Sequence, residues 1–310
     1  MFEYYYTNKH YHTLDYYLKG KYKKKVFKVP LNASFTCPNR DGRKSTKGCA
    51  FCSALGSGDF AGKVNDSLLV QFDKVSEVIN NKWEDAYKIA YFQAYSNTYG
   101  SIDKLKSTFE QFINKKDVIG LSIATRCDCI NEEIVNYLKE LKKHFKEFWV
   151  ELGLQSANLK TMKLMNLCYT FNDFKKAVRL LNKANIDVIV HIIDGLPFES
   201  KEDQINTIKK LNKLKIQGLK IHILNVISNT TLAKMYLNNE FTLQSEEEFI
   251  DVVTSQLYYL KDDVIIHRIG ADSKSSDLIA PTWVLNKLSV VDKIDIKMRN
   301  DSMFQGDLYK

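Results

Sequence analysis

The sequence predicts an α/β protein whose parallel sheet curls into an incomplete barrel of six βα units, followed by a C-terminal α/β extension. Two observations carry that expectation. Short apolar or β-branched runs alternate with helical patterns, and after the first run the later ones recur at roughly thirty-residue spacing, the length of one βα unit. Several runs are almost continuously apolar, as parallel strands covered on both faces require. Eight units close a barrel, so six leave it open. Right-handed crossovers put the helices outside, and the loops after the strands' C-terminal ends share one mouth, the usual place for chemistry.

The elements follow in order. Residues 1–30 form a basic, tyrosine-rich segment that runs into the first predicted strand, "KVFKVPL" at 25–31. The barrel is predicted over 31–225, with further strands at 87–93 ("YKIAYFQ"), 118–124 ("VIGLSIA"), 148–154 ("FWVELGL"), 186–193 ("IDVIVHII") and 218–224 ("GLKIHIL"). Helical patterns fall between them at 67–83, 131–145, 171–184 and 201–215. In the second of these, Ile134, Leu138 and Leu141 share one face. Asn131, Asn172 and Ser200 stand where N-caps are expected. From Asn225 the rhythm changes, and 226–310 is expected to pack against the barrel with a helix at 245–260, a strand at 263–269 and a last helix at 283–300.

Composition is that of a folded protein, with 45% hydrophobic and 26% charged residues in 310. No apolar run approaches the roughly 18–20 residues that cross a membrane, and the first twenty residues lack the apolar core of a secretory signal. A cytoplasmic location is therefore expected, where clustered thiols bind metal more often than they pair. The net charge of +8 is uneven: residues 1–47 hold eleven Lys/Arg against three Asp/Glu, so the remainder is balanced. Seven tyrosines accompany this basic run. Such a segment can attract phosphates and stack bases, or it can be a solvated basic face.

The stretch "CPNRDGRKSTKGCAFC" holds three of the six cysteines, Cys37, Cys49 and Cys52, just after the first predicted strand and hence at the mouth. Pro38, Asn39, Asp41, Gly42 and Gly48 let that loop turn sharply. A structural zinc takes four closed ligands, for which Cys127 and Cys129 are the distant candidates. A disulfide would strand one thiol. A four-iron cluster on three thiolates leaves one iron open to a ligand. The count alone leaves zinc and the cluster in play.

With Phe51 directly before the last cysteine, and the loop set after the first strand of a βα array, the chain resembles the radical S-adenosylmethionine superfamily. The wide gap of eleven residues between Cys37 and Cys49 resembles the YhcC-like branch, related to the catalytic subunit of Elongator. Further matching segments are "YFQAYSNTY" (91–99), "LSIATR" (121–126), "ELGLQS" (151–156), "GLPFE" (195–199), "KIHILNV" (220–226), "VIIHR" (264–268) and "DLIAPTWVLNK" (277–287). The chain departs from the branch at Cys127 in "TRCD", at "MNLCYTF" (165–171) and at Phe198.

The resemblance implies a partial TIM-like barrel and a [4Fe-4S] cluster on Cys37, Cys49 and Cys52. It also implies S-adenosylmethionine as cofactor, a reductant protein as electron donor, and hydrogen abstraction by a 5′-deoxyadenosyl radical. Gln93 falls where the superfamily meets the methionine amine, Phe51 is expected to line the cofactor site, and Gly195 lies near the adenine. Glu151 and Gln155, a carboxylate and an amide at a strand end, suit ribose hydroxyls or the amino group; Glu151 equally suits a buried network. Arg126 suits the methionine carboxylate or a substrate anion, or equally an ordinary surface salt bridge. Glu199 reads as a helix-start carboxylate, His191 and His222 as core histidines, and His267 and Arg268 as substrate contacts by analogy; Cys127, Cys129 and Cys168 read as buried thiols before a redox pair or a second metal site. The Elongator likeness and the basic N-terminus point to RNA, transfer RNA in particular, as substrate, though the chain has no residues left for an acetyltransferase domain. The N-terminus and the C-terminal extension are expected to cover the mouth. The competing reading is a zinc-stabilised nucleic-acid-binding protein without catalysis.

Overall fold

The computed structural model describes residues 9–54, 56, 58, 61–270 and 275–310. Tyr4, Tyr5 and Tyr6 of the tyrosine-rich segment lie outside them. After helix α1 (Leu14–Tyr22) the chain enters β1 (Val26–Leu31), then α2 (Leu68–Lys82), β2 (Tyr87–Phe92), α3 (Ile102–Phe109), β3 (Val118–Arg126), α4 (Glu132–Lys142) and β4 (Glu147–Gln155). Helices α5 (Leu159–Leu164) and α6 (Phe171–Lys183) lead to β5 (Asp187–Asp194), α7 (Lys201–Leu211) and β6 (Gly218–Ile223). The rest comprises β7 (Val226–Ile227), α8 (Thr231–Leu237), α9 (Glu246–Tyr259), β8 (Ile265–Ile269), β9 (Leu278–Ala280) and α10 (Lys287–Asn300).

One parallel sheet runs β1-β2-β3-β4-β5-β6-β8, and β7 pairs with β9 in a small antiparallel ribbon. The half-barrel therefore has seven strands, not six. Ile265–Ile269, expected in a separate extension, pairs in parallel with β6 because its apolar residues continue the same buried surface. The change of rhythm after Asn225 marks a longer crossover, with α8 and α9 in it, rather than the end of the sheet.

Side chains alternate across the sheet. Val150, Leu152 and Leu154 of β4 join the large core with Phe174, Val178 and Leu181 of α6. Trp149 and Glu151 between them point the other way, into the barrel. The helices hold their places through side-chain caps. Asn131 accepts from Ile134 N as expected, and Ser200 from Asp203 N within a full capping box. Thr170, not Asn172, caps α6, because the box pairs Thr170 with Asp173. Likewise Asp203, rather than Glu199, is the carboxylate of the α7 start.

The N-terminal segment closes the opposite end from the mouth. Thr13 bridges to Ile266 of β8, and Ile266 N donates to His12 O at 2.7 Å, before α1 crosses to β1 at the other edge of the sheet. Leu18 is buried with Ile89, Ile119, Trp149 and Ile189, a small apolar cluster inside the barrel base. Lys21 and Tyr22 each donate to Glu147 at 2.6 Å, at the first residue of β4. The described part of the N-terminus thus plugs the base and does not cover the mouth. Its lysines, Lys19 to Lys25, lie at that end too. No helix among the described residues is long and apolar enough to cross a membrane.

Candidate active site

The three cysteines of the loop after β1 line one pocket with Phe51, Gln93, Arg126, Glu151 and Gln155, so the structure brings together eight of the nine residues singled out. The ninth, Gly195, is not among its lining residues. It lines a separate hollow beside Gln244, its amide donates to Gln204 Oε1 at 3.0 Å, and its φ of +83° serves the turn leaving β5.

Main-chain turns shape the cysteine loop. Arg40 N and Asp41 N donate to Cys37 O, Gly48 N to Asn39 O at 2.7 Å, and Cys52 N to Cys49 O at 3.0 Å. Gly48 has φ +73°, and a Cβ there would sit 3.2 Å from Arg40 Nε. The loop is tied down from outside. Ala50 N donates to Met165 O, Leu232 N to Ala50 O, and Asn166 Nδ2 to Gly48 O. Arg40 Nη2 donates to Cys52 O at 3.0 Å.

Two donors reach the Cys49 sulfur: Asn39 Nδ2 at 3.4 Å and Arg126 Nη1 at 3.9 Å. Burial, with Cys52 beside it, pushes the Cys49 thiol up to about 12, while Arg126 and Asn39 favour its anion. All three cysteines are half-buried and free of disulfides. Among the described residues no group of three His, Cys, Asp or Glu is already set in metal-holding geometry. As a donor set, three thiols facing one pocket, with polar donors trained on one of them, fit an iron–sulfur cluster.

Arg126 is not free to clamp a carboxylate. Its Nε and Nη2 form a fork on Asp128 at 2.9 and 2.8 Å, Nη2 also reaches Leu167 O at 2.7 Å, and the guanidinium lies 4.8 Å over Tyr169. Gln155 ends β4 with φ +68°, a left-handed conformation unusual outside glycine. Its amide folds back over Gly153, where a Cβ would come within 2.7 Å of Gln155 Nε2. Gln93 N donates to Leu31 O, which fixes the backbone at the pocket wall.

Beneath the mouth lies a polar floor of which sequence reasoning anticipated only part. Glu151, fully buried, is its hub. Oε1 accepts from Lys28 at 2.6 Å and from Ser122, and Oε2 accepts from Lys220 at 2.5 Å and meets His191 Nε2 at 2.6 Å. Both carboxylate oxygens are thus occupied, and the structure gives Glu151 the buried-network role rather than that of a ribose contact. His191 continues to His222 at 3.2 Å, Lys28 to His267 Nδ1 at 3.3 Å, and Lys220 to the Tyr91 hydroxyl at 3.1 Å.

Burial alone would raise the Glu151 carboxyl, but Lys220 and Lys28, with His191, hold it well below the usual range. Two ammonium groups share that one carboxylate. Burial, together with repulsion from Lys28, outweighs the pull of Glu151 on Lys220 and lowers its pKa to about 7. Burial likewise lowers His191 to about 4, and His222 and His267 well below their ordinary value, so the imidazoles are neutral. His191 and His222 are hydrogen-bonded as expected, yet both also line the pocket. Lys28, Tyr91, Ser122 and Lys220 were missed. Their signal was a polar side chain set into an otherwise apolar strand, singly in "VFKVP" and at alternate positions in "GLKIHIL".

Cys127 and Cys129 are buried as expected, but Cys168 is exposed, its sulfur 3.4 Å from Asn166 Oδ1. Glu199, before the α7 cap, accepts from Ser156, and burial raises its pKa.

Comparison with known proteins agrees with this geometry. The model of the Radical SAM superfamily matches residues 37–211, and that of the Radical_SAM C-terminal domain matches 216–300. The chain is 40% identical to "Uncharacterized protein YtqA" of Bacillus subtilis over 309 residues, covering 100% of this chain and 96% of the relative. It is 29% identical to "Protein YhcC" of Escherichia coli, covering 93% and 92%. A "tRNA uridine(34) acetyltransferase" of Methanocaldococcus infernus is 30% identical over 53% of this chain, but over only 31% of its own length. Among solved structures, Methanocaldococcus infernus Elp3 superposes with TM-score 0.69 at 18% identity, over 91% of this chain and 64% of the other, which shows a shared fold.

Proposed function

We propose, starting from the fact that the chain belongs to the radical SAM superfamily, that it is an enzyme that cleaves S-adenosylmethionine reductively at a [4Fe-4S] cluster and acts on RNA, with transfer RNA the first candidate. The observation that carries this reading is that Cys37, Cys49 and Cys52 face the same pocket as Gln93 and Gln155 at the strand ends. When bound, the cluster and cofactor would supply the 5′-deoxyadenosyl radical that removes a hydrogen atom from substrate, given an electron from a reductant protein of the cytoplasm.

This chain's residues supply holding and shielding. Cys37, Cys49 and Cys52 would bind three irons. Arg126 and Asn39 direct hydrogen bonds at Cys49, which favours its thiolate and holds it in place. Arg126 is therefore assigned to positioning Cys49, in place of the methionine carboxylate. Gln93 and Gln155 remain the contacts for the amine and ribose, since an amide both donates and accepts. Phe51 is apolar pocket wall beside Cys52. The half-barrel with its plugged base excludes water from one side, which a reactive carbon radical requires.

Support for RNA comes from the mouth. Arg40 and Arg43 stack over Tyr95 and Tyr99 at 5.8 and 5.7 Å, with Lys44 and Lys47 on the same loop. Cations interleaved with aromatics suit phosphates and bases. The name of the tRNA acetyltransferase relative points the same way.

The test is formation of 5′-deoxyadenosine by anaerobically reconstituted protein with a reductant, with and without transfer RNA, alongside RNA binding across salt. The reading expects cleavage stimulated by RNA and, for about four phosphate contacts, a slope of log K against log salt of roughly −3. Cleavage indifferent to RNA, with salt-independent or absent binding, would remove RNA as substrate. Stoichiometric zinc and no cleavage would remove the enzyme.

A further inference from the structure

We propose that the floor of the half-barrel is an anion-binding subsite, in which Lys220 and Arg268 receive a carboxylate or phosphate group of a small ligand entering the pocket. The inference goes beyond the cluster chemistry and rests on the functional reading only in placing that ligand beside the reacting position.

The geometry is one of unequal charge. Lys28 and Lys220 both turn into the barrel and meet a single carboxylate, that of Glu151, whose two oxygens are taken up by them and by Ser122 and His191. With both lysines protonated, one acid against two ammonium groups leaves a surplus of one positive charge among these described residues, before any imidazole is counted. Arg268, from β8, lines the same pocket, and its field is felt at Lys28, Lys220, Tyr91 and His222. Asp277, at the rim, is the other acidic side chain lining the pocket among the described residues.

Such an arrangement is costly for groups this buried. Buried charge is tolerated when paired, and a second ammonium on an already occupied carboxylate is not fully paired. Lys220 is held in place by Tyr91, whose ring lies 4.3 Å below its ammonium and whose hydroxyl accepts from it at 3.1 Å. A floor rich in donors and poor in acceptors fits a ligand that brings acceptors. A carboxylate or phosphate offers them with compensating charge, whereas a neutral amide or a cation does not.

The groups facing Lys220 from every packed strand are Lys28 of β1, Tyr91 of β2, Glu151 of β4, His191 of β5, His222 of β6 itself, and His267 and Arg268 of β8. An entering anion stabilises the protonated form of Lys220, so binding takes up a proton and weakens as pH rises above about 7, the value to which burial and Lys28 have lowered it. The imidazoles, driven further down by burial, stay neutral across that range.

The experiment uses anaerobically reconstituted protein, with inorganic phosphate and with acetate as separate probes, followed by calorimetry and by tryptophan fluorescence. Trp149 is a reporter at the site, 4.5 Å from Lys28 and edge-on to His267. The proposal expects saturable binding of at least one probe, tenfold or more weaker in Lys220→Met, similarly weakened in Arg268→Gln, and tenfold or more weaker at pH 9 than at pH 6.5. Phosphate alone binding assigns a phosphate ester, and acetate alone a carboxylate; each supports the subsite. Arg268→Gln lies outside the Glu151 hub and keeps the test alive if Lys220→Met does not fold. No saturable binding of either probe, or binding unchanged in Arg268→Gln, overturns it. So does a loss in the variants confined to S-adenosylmethionine affinity, which would hand the charge to the cofactor. S-adenosylmethionine cleavage is measured on the same samples, so failure of the subsite with cleavage intact leaves the enzymatic reading standing.

Discussion

Glu151→Gln is the substitution that probes the barrel floor most severely. The amide keeps the size and one acceptor oxygen of the carboxylate but removes its charge, and its new N–H₂ faces donors: Lys220 and His191 on one side or Lys28 and Ser122 on the other. Two buried ammonium groups then lose their only shared counter-charge. Breaking a buried ion pair from one side costs about 3–5 kcal/mol. For a chain of this length, with about 2.1 cal/mol/K of unfolding entropy per residue, that lowers Tm by roughly 5–8 °C. The assay is urea denaturation with calorimetry at pH 7. The deficit should shrink on going to pH 9. Lys220 has a folded pKa of about 7, so by pH 9 it is neutral with or without the Glu151 carboxylate, and the substitution then strands the charge of Lys28 alone. The double variant Glu151→Gln/Lys220→Met should recover about 1–4 kcal/mol, because the second change removes the stranded charge. A Glu151→Gln deficit under about 0.5 kcal/mol, or one that neither shrinks with pH nor recovers in the double variant, would refute the hub.

Further outcomes follow from burial elsewhere. Asp194, at the end of β5, is buried with one oxygen accepting from Gln256 and the other unpartnered, and burial raises its pKa to about 8. The folded state therefore binds more protons than the unfolded one between about 4 and 8, and stability from this group falls as pH rises through that range. Asp194→Asn should remove that slope and stabilise by about 1–3 kcal/mol at pH 8, read by denaturation at pH 5 and 8; an unchanged slope contradicts it. Leu18→Ala empties the apolar plug of the barrel base and should cost about 2–4 kcal/mol in the same assay. A loss below about 1 kcal/mol would mean that α1 does not seal the base. Gly218→Ala would put a Cβ 2.7 Å from the His267 ring and should cost about 1–3 kcal/mol by overpacking; a neutral change would place His267 elsewhere.

The strands were legible because parallel strands buried on both faces must be apolar along their whole length, and 118–124 and 148–154 announce themselves that way. The seventh strand was seen at 263–269 but put in the wrong body. Its partner, β6, is more than forty residues earlier, and pairing across so long a crossover leaves no local trace. The cap of α6 slipped from Thr170 to Asn172 because both residue types cap helices, and only the reciprocal bond to Asp173 distinguishes them. In the site, the cysteines were plain because their loop is contiguous. Glu151 was identified as important, but its function depends on Lys28, Lys220 and His191, contributed by three other strands, and no spacing within the sequence brings those together. Gly195 stands apart from the other eight. Its place near the adenine came from the resemblance, and its positive φ serves the turn that leaves β5.

The central claim is that three thiols of one loop hold an iron–sulfur cluster at the mouth of the half-barrel. Iron and sulfide content after anaerobic reconstitution, with the electron paramagnetic resonance of the reduced protein, tests it most directly. The wild-type chain should hold about four irons and a reduced-cluster signal perturbed by S-adenosylmethionine, both lost in Cys37→Ala and retained in Cys168→Ala. Iron retained in full by Cys37→Ala, or zinc bound in its place by the wild-type chain, would contradict it.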